Sequence, residues 1–423
     1  MTSPATDPSA EAPTRGQSRP LVVYFHRYPP ETETVQYPAL RRMLDNLLTR
    51  YDVIYFSMRT PGKVDSTLRQ GVRTIQFPFS VDQRNAIDKW AKTILYYLFL
   101  PWAMRQLRRE APAFIICKET LPFVPCVVGR LGVPMLIATS DWWWSILLGG
   151  TTWGRKVAGR LERSEVTRWN KMTKAWVVST TQAEARVVVR KGMSPERVRV
   201  INAPSAPSVF GPAAGDVERT KCGFTSQHWV VAIHGIIRPG KGYGQLLEWW
   251  RQLNVIHPPW RLLIIGGAGG ESWCRQQIAD LGIGGSVVMT GWLPTKQDVN
   301  GYLNAGDCLL VIRRNSEDNE GIIPSALFNS MATGKPTVAT GLPGMAEIIH
   351  HGVDGYLFEP DSFESFRQVL EFVSKHPQEA TIAGQAGRER AKQCFDPEVA
   401  AAKHCALIDE VLGTDHVGGD ANG

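Results

Sequence analysis

The stretch NEGIIPSALFNSMATGKP, residues 319–336, decides how this chain is read. A Gly-x-x-Pro-Ser turn at 321–325 runs into a short apolar helix that ends at Gly334-Lys335-Pro336. Such a turn leaves several backbone N–H groups unpaired at a helix start. Unpaired donors at the positive end of a helix dipole hold anions such as pyrophosphate. An ordinary loop–helix pair of an α/β protein would look the same in isolation, so the neighbouring segments must separate the two readings.

Moving outward, DCLLVIR precedes this stretch and PTVAT closes it, each a buried strand by its short apolar run. Upstream, HWVVAIHG, WRLLIIGG and SVVMTG are strands, separated by the helical segments GYGQLLEWWRQL and ESWCRQQIADLG. The same alternation occupies the first half. LVVYF, DVIYFSM, VRTIQFPF, AFIIC, PMLIATS and AWVVST are strands with helical stretches between several of them, including one long helix over 85–110. The uncharged centre of that helix, residues 93–104, is 12 residues long, against the ~20 needed to cross a bilayer. Strands alternating with helices imply parallel sheets covered on both faces.

At 423 residues the chain exceeds one hydrophobic core. PSAPSVFGPAAG, residues 204–215, reads as the linker. The expected organisation is a disordered leader at 1–19, a first Rossmann-like domain at 20–203 and a second at 216–395. A helix at 396–413 would pack back on the first domain, ahead of a disordered tail at 414–423. Two doubly wound domains would then face each other across a cleft lined by the carboxyl ends of both sheets, where open α/β sheets bind ligands.

Charge supports the division. Residues 1–202 carry 30 Lys and Arg against 16 Asp and Glu, and residues 203–423 carry 17 against 24. The basic half suits an anionic surface. Without zinc-finger spacing or an aromatic RNA-binding signature, membrane phosphate is preferred over nucleic acid. Seven scattered cysteines without a C-x-x-C pair fit a reducing cytosol rather than a zinc site or disulfide framework.

Three loops of the second domain fall at strand carboxyl ends. In HGIIRPGKGYG, Gly235 is followed by Arg238 and Lys241, two cations able to neutralise a diphosphate, although a solvated basic turn would read alike. In IIGGAGGESW, Gly266 and Gly267 permit close backbone approach. The third is the opening turn, whose Gly321, Ile322, Pro324 and Ser325 would meet the same phosphates. GLPGMAEII adds a further turn and Glu347. The chain has no Asp-x-Asp pair to clamp Mg²⁺ or Mn²⁺ on a nucleotide, so no metal or cofactor is expected.

In this order, HG…KG, LLIIGG, LGIGGSVVMTGWL, YLNAGDCLLVIR, G-x-x-P-S, MATGKPTVAT and GMAEIIHHGVDGYLFEP resemble the donor domain of family-four glycosyltransferases, retaining nucleotide-sugar enzymes of GT-B fold. KAWVVST and VRKGMSPERVRVINAPS carry the likeness more loosely into the first half. The resemblance implies that Lys241 is the family's diphosphate lysine and that Arg238 substitutes for an arginine whose usual register holds Ile236. It places Trp292 beside the base and Asn329 at the ribose, where the family has a glutamate. Gly321 occupies the register of the other family glutamate, with Glu320 next to it as the catalytic candidate. Ser140 and Asp141 stand where many members have a histidine near the sugar; Asp141 and Trp142 are the acceptor-side candidates.

WWWSILLGG follows Asp141, and a basic helical stretch then carries Arg155, Lys156, Arg160, Arg163, Arg168, Trp169, Lys171 and Lys174. Indole rings favour the headgroup level and Lys or Arg an anionic leaflet. Core tryptophans beside a solvated basic face are the other reading. The expected function is transfer of a sugar from a nucleotide-diphosphate sugar to a polysaccharide or lipid-linked acceptor, with retention, in the cytoplasm and peripherally on the inner face of the cell membrane. A catalytically silent nucleotide-sugar binder of the same fold is the competing class.

Overall fold

The computed structural model describes residues 19–27, 37–59, 71–80, 86–118, 121–138, 142–148, 151–202, 209–238, 241–267, 269–316 and 319–413. The leader at 1–18, the tail at 414–423, Asp141 and linker residues 204–208 lie outside the described residues.

The first half runs β1 (Leu21–His26), α1 (Tyr37–Arg50), β2 (Asp52–Arg59), β3 (Val72–Ser80), α2 (Ala86–Leu98), α3 (Leu100–Glu110) and β4 (Phe114–Lys118). It continues through α4 (Val124–Val128), β5 (Met135–Ala138), α5 (Trp143–Leu148), α6 (Thr152–Lys171), β6 (Ala175–Ser179), α7 (Gln182–Arg190) and β7 (Val198–Val200). Its strands pair in parallel in the order β3-β2-β1-β4-β5-β6-β7.

The second half runs α8 (Asp216–Lys221), β8 (Trp229–His234), α9 (Tyr243–Ile256), β9 (Trp260–Ile265), α10 (Glu271–Asp280), β10 (Val287–Gly291), α11 (Lys296–Asn304) and β11 (Cys308–Val311). It then passes through α12 (Ser325–Thr333), β12 (Thr337–Thr340), α13 (Pro343–Ile348), β13 (Tyr356–Phe358), α14 (Phe363–Lys375), α15 (Pro377–Cys394) and α16 (Pro397–Leu412). Its sheet is parallel with the order β10-β9-β8-β11-β12-β13.

Each sheet is covered on both faces, because successive side chains of a strand point opposite ways. Val23 and Phe25 of β1 enter one core with Ile54, Phe56 and Trp169. Val22 and Tyr24 enter another with Leu44, Leu47 and Tyr51 of the α1 side. That second core also receives Ala401, Cys405 and Ile408. Helix α16 therefore belongs by packing to the first sheet although it follows the second. Polar contacts tie it down: Arg50 and the Tyr51 hydroxyl reach the Asp409 carboxylate, and Arg199 pairs with Glu410 at 2.8 Å.

The long helix expected over 85–110 is two helices. Pro101 sits in the first turn of α3, and without an N–H it cannot continue the hydrogen-bond ladder of α2. Strands β7 and β13 are three residues each, too short to show any periodicity in sequence.

A helix following a parallel strand starts at the carboxyl edge of the sheet. α7 follows β6, and α13 follows β12. Their ends touch, through Glu347 of α13 and the backbone N–H groups of Gln182 and Ala183. The carboxyl edges of the two sheets thus face each other. In each sheet the strand order reverses between the first and fourth strands, β1/β4 and β8/β11, the crevice where such sheets bind ligands.

Candidate active site

On the second domain the site is built from glycine turns locked to one another. Gly235, with φ +131°, ends β8, and Gly266, with φ +121°, ends β9. The Gly235 N–H donates to the Ile265 carbonyl at 3.0 Å, and the Ile237 N–H donates to the Gly267 carbonyl at 2.9 Å. A Cβ added at Gly266 would lie 2.4 Å from the Gly235 oxygen, and one at Gly270 would lie 2.1 Å from the Ile237 oxygen. Only bare backbone lets these turns approach so closely. Gly267 is tight for another reason, since a Cβ there would run into the Glu271 carboxylate. Gly266 also bridges to Gly291 at the end of β10, and the next residue, Trp292, is 65% exposed beside this seam.

Arg238 is exposed and Lys241 half-buried; the Lys241 N–H closes a turn onto the Arg238 carbonyl at 3.0 Å. Gly242, at φ +91°, then starts α9 within 3.3 Å of the Ile312 side chain by its Cβ position. The N-terminus of α9 therefore lies at the β8/β11 switch point. Neither α9 nor α12 has a side-chain cap. Both direct uncapped N–H groups and a positive dipole end toward the carboxyl edge. Pro324 is the N-cap of α12, Ser325 its exposed first residue, and Ile322 is half-buried in the turn before it.

Asn329 lies one turn inside α12 and is buried. Its Nδ2 is 3.3 Å from His234 Nε2, which ties α12 to the end of β8. Burial holds the His234 imidazole down to about 4, so it is neutral at pH 7 and Nε2 accepts from the amide. The side chain expected at the ribose thus also serves as a strut between the end of β8 and the first turn of α12.

Glu320 and Gly321, the candidates beside the turn, contact the other domain. Glu320 forms an ion pair with Arg190 of α7, on the other domain. The guanidinium holds its carboxylate at the domain seam. Gly321 is buried against α7, and a Cβ there would lie 2.5 Å from the Glu184 nitrogen. The Thr181 hydroxyl donates to the Gly321 carbonyl at 3.0 Å. Residues 320–321 thus form an interdomain contact with α7.

Trp142, the acceptor-side candidate, leads a run of three tryptophans. Trp142, Trp143 and Trp144 are half-buried against protein. Lys191 lies over the Trp142 ring at 4.5 Å and Arg27 over the Trp143 ring at 4.3 Å. The Trp144 Nε1–H donates to Glu165 at 3.2 Å. Two buried glutamates of α6 pin this segment. Glu162 accepts from the Ser145 N–H and hydroxyl at 2.9 and 2.8 Å and from Lys191 Nζ at 2.7 Å. Glu165 accepts from the Phe123 N–H at 2.7 Å. Burial pushes its carboxyl up to about 7 against the pull of those hydrogen bonds, with the neighbouring Glu162 charge adding to the rise. Trp169 is core, packed on β1 and β4. The apolar side chains that do face solvent here are Ile94, Leu98, Leu147 and Trp153, the last 74% exposed. Arg155, Lys156, Arg160 and Arg163 are exposed on α6 beyond Trp153.

Among the described residues, no cluster of three or more His, Cys, Asp or Glu side chains is arranged to hold a metal ion, and no helix is long and apolar enough to cross a membrane. The family described as glycosyl transferases group 1 matches residues 216–390, the span that contains every glycine turn above. That match is confined to the second domain.

Amylovoran biosynthesis glycosyltransferase AmsK of Erwinia amylovora is 26% identical over 173 residues, 40% of this chain and 42% of that protein. The chain thus spans less than half the length of that relative. Among solved structures, sucrose-phosphate synthase from Thermosynechococcus elongatus superposes with a TM-score of 0.72 at 16% identity, covering 94% of this chain and all of that one. The Anabaena protein HepE, in complex with UDP and glucose, superposes with a TM-score of 0.67 at 17% identity, covering 92% of this chain and all of that one. The architecture is GT-B, two Rossmann-like parallel-sheet domains.

The second domain brings together Gly235, Gly266, Gly267, Trp292 and the α9 and α12 starts at one edge, while Glu320 is paired with Arg190 at the seam. His234 is visible in the HG pair, but nothing in its spacing announces the bond to Asn329 95 residues away. The Glu162–Lys191 pair joins residues 29 apart on separate helices, and no periodicity reports it.

Proposed function

We propose that this chain is a glycosyltransferase that moves a sugar from a nucleotide-diphosphate sugar to a sugar or lipid-linked acceptor with retention of configuration and without a metal. The observation that carries the proposal is the interlocked Gly235/Gly266 pair at the β8/β11 switch point, with Arg238, Lys241 and the α9 and α12 N-termini at the same edge. A departing nucleoside diphosphate develops charge there, and fixed donors with two cations stabilise it without reorganisation. In the retaining course, the acceptor attacks from the face the diphosphate leaves, and the departing phosphate oxygen takes the acceptor proton. No protein carboxylate is then required near the sugar, consistent with Glu320 being engaged by Arg190. The name of AmsK and the UDP in HepE support a polysaccharide acceptor and a UDP-type donor.

Docking on the inner face of the cell membrane belongs to the same proposal. Its support is the exposure of Ile94, Leu98, Leu147 and Trp153 together with that of the cations of α6. Helices α2 and α5 meet through the 122–123 turn, where the Tyr97 hydroxyl donates to the Pro122 carbonyl and Phe123 stacks edge-on to Trp144. Each Lys or Arg near an anionic leaflet contributes ~1 kcal/mol.

Incubation with a panel of UDP-, GDP-, dTDP- and ADP-sugars, an extract-derived acceptor and NMR of the product tests the reading. Release of one nucleoside diphosphate with an α-product from an α-donor supports it, and an inverted product removes retention. Tight donor binding with no transfer to any acceptor would select the silent-binder reading. Flotation with anionic vesicles should weaken with salt and with Trp153→Ser; equal binding to neutral vesicles would overturn the membrane part.

A further inference from the structure

The seam between the domains carries more polar contact than holding two domains together requires, and it converges on the donor-phosphate turn. Helix α7 of the first domain begins with Thr181 as N-cap, whose hydroxyl accepts from the Glu184 N–H at 3.0 Å. Its first two N–H groups, on Gln182 and Ala183, have no partner in their own helix. They donate instead to the two oxygens of Glu347 in α13, at 2.6 and 2.7 Å. Arg186, one turn on, adds its guanidinium to the same carboxylate at 3.3 Å. A carboxylate of the second domain thus completes a helix start of the first, where dipole and orphan donors favour negative charge.

The other contacts of α7 reach the turn itself. The Thr181 hydroxyl donates to the Gly321 carbonyl, Arg190 pairs with Glu320, and Gly321 has no room for a Cβ against Glu184. From the opposite side the Gly344 N–H donates to the Glu320 carbonyl at 2.8 Å, and a Cβ at Gly344 would lie 2.8 Å from the Gly321 oxygen. Residues 320–321 are therefore held between α7 and α13, and the next residues, 322–325, lead straight into the start of α12.

We propose that α7 is a positioning element for the donor-phosphate turn. Through Glu347, Thr181 and Arg190, the acceptor-side domain fixes the backbone of residues 320–325, so the diphosphate site is complete only while this seam is docked. The inference rests on the donor reading above for what the turn binds, and on the contacts alone for what holds the turn. It also gives a reason for glycine at position 321: the approach of α7 needs the space a side chain would take.

The test uses the full-length chain carrying Glu347→Ala or Gly321→Ala. Hydrogen exchange of residues 319–325 should speed at least tenfold in both variants, while the strands of the second sheet keep their protection. Titration with UDP, GDP, dTDP and ADP should show about tenfold weaker binding of whichever diphosphate the wild-type chain takes, with unchanged affinity for its parent nucleoside. Glu347→Gln, which keeps one acceptor oxygen, should recover part of the loss. Unchanged exchange at 319–325 overturns the proposal, as does equal weakening of nucleoside and diphosphate. A wild-type chain that binds no diphosphate overturns the donor reading, and the exchange result then decides the mechanical half by itself. Should one variant fail to fold, the other decides the outcome.

Discussion

Replacing Gly266 by alanine, with Gly269→Ala as its partner, separates close approach from backbone strain within one loop. Both glycines have positive φ, +121° and +96°, so each alanine is strained. A residue forced into such a region costs roughly 1–3 kcal/mol. Only Gly266 has a neighbour in the way: its Cβ would lie 2.4 Å from the Gly235 oxygen, whereas nothing lies within 4 Å at Gly269. Restoring an ordinary contact means moving the β8 and β9 turns apart by about 1 Å, and overpacking of this kind costs a further ~1–3 kcal/mol. Displacement of a reacting group by ~1 Å costs about 100-fold in rate. In urea unfolding followed by tryptophan fluorescence, Gly269→Ala should lose about 1–2 kcal/mol and Gly266→Ala about 1–3 kcal/mol more. Turnover of a nucleotide sugar should fall about 100-fold in Gly266→Ala and less than tenfold in Gly269→Ala. Equal stability and equal turnover in the two variants would refute the interlock of the turns.

Two other outcomes follow from buried charge. Glu162→Ala leaves Lys191 buried without its carboxylate and frees the Ser145 end of α5, so stability should drop by roughly 3–5 kcal/mol; Glu162→Gln with Lys191→Met should recover most of it, both read from urea midpoints. His234 titrates at about 4 when folded against 6.5 as the ordinary value. The folded chain refuses a proton that the unfolded chain accepts. This contribution is whole above pH 6.5, shrinks as pH falls and is gone below about 4. Between pH 7 and pH 5 it is worth about 2 kcal/mol, a difference that His234→Gln should abolish in paired denaturant titrations.

The parts of the fold that a sequence can announce are those written in local pattern. The apolar runs that became β1, β2, β8 and β9 are six to eight residues long with turn residues at their ends, and their readings agree with the strands to within two residues. The break between α2 and α3 depends on a single Pro101, which the apolar pattern on both sides conceals. The glycine turns after β8 and β9 are legible because glycine at a strand end has a backbone cause. Position 320 is not, because an acidic residue beside a catalytic register looks the same whether it faces a sugar or Arg190, 130 residues earlier. The tryptophans are a related case. Three adjacent indoles signal an interface, but whether the partner is lipid or Lys191, Arg27 and Glu165 is decided by tertiary contact.

Calorimetric titration of the purified chain with UDP, GDP, dTDP and ADP tests the diphosphate site most directly. At least one should bind, and removing a charge-assisted bond with Arg238→Ala or Lys241→Ala should weaken it by roughly 1.5–3 kcal/mol, or about 10- to 150-fold, while the parent nucleoside binds as before. Absence of binding by all four, or affinities indifferent to both substitutions, would contradict a phosphate site at the end of β8.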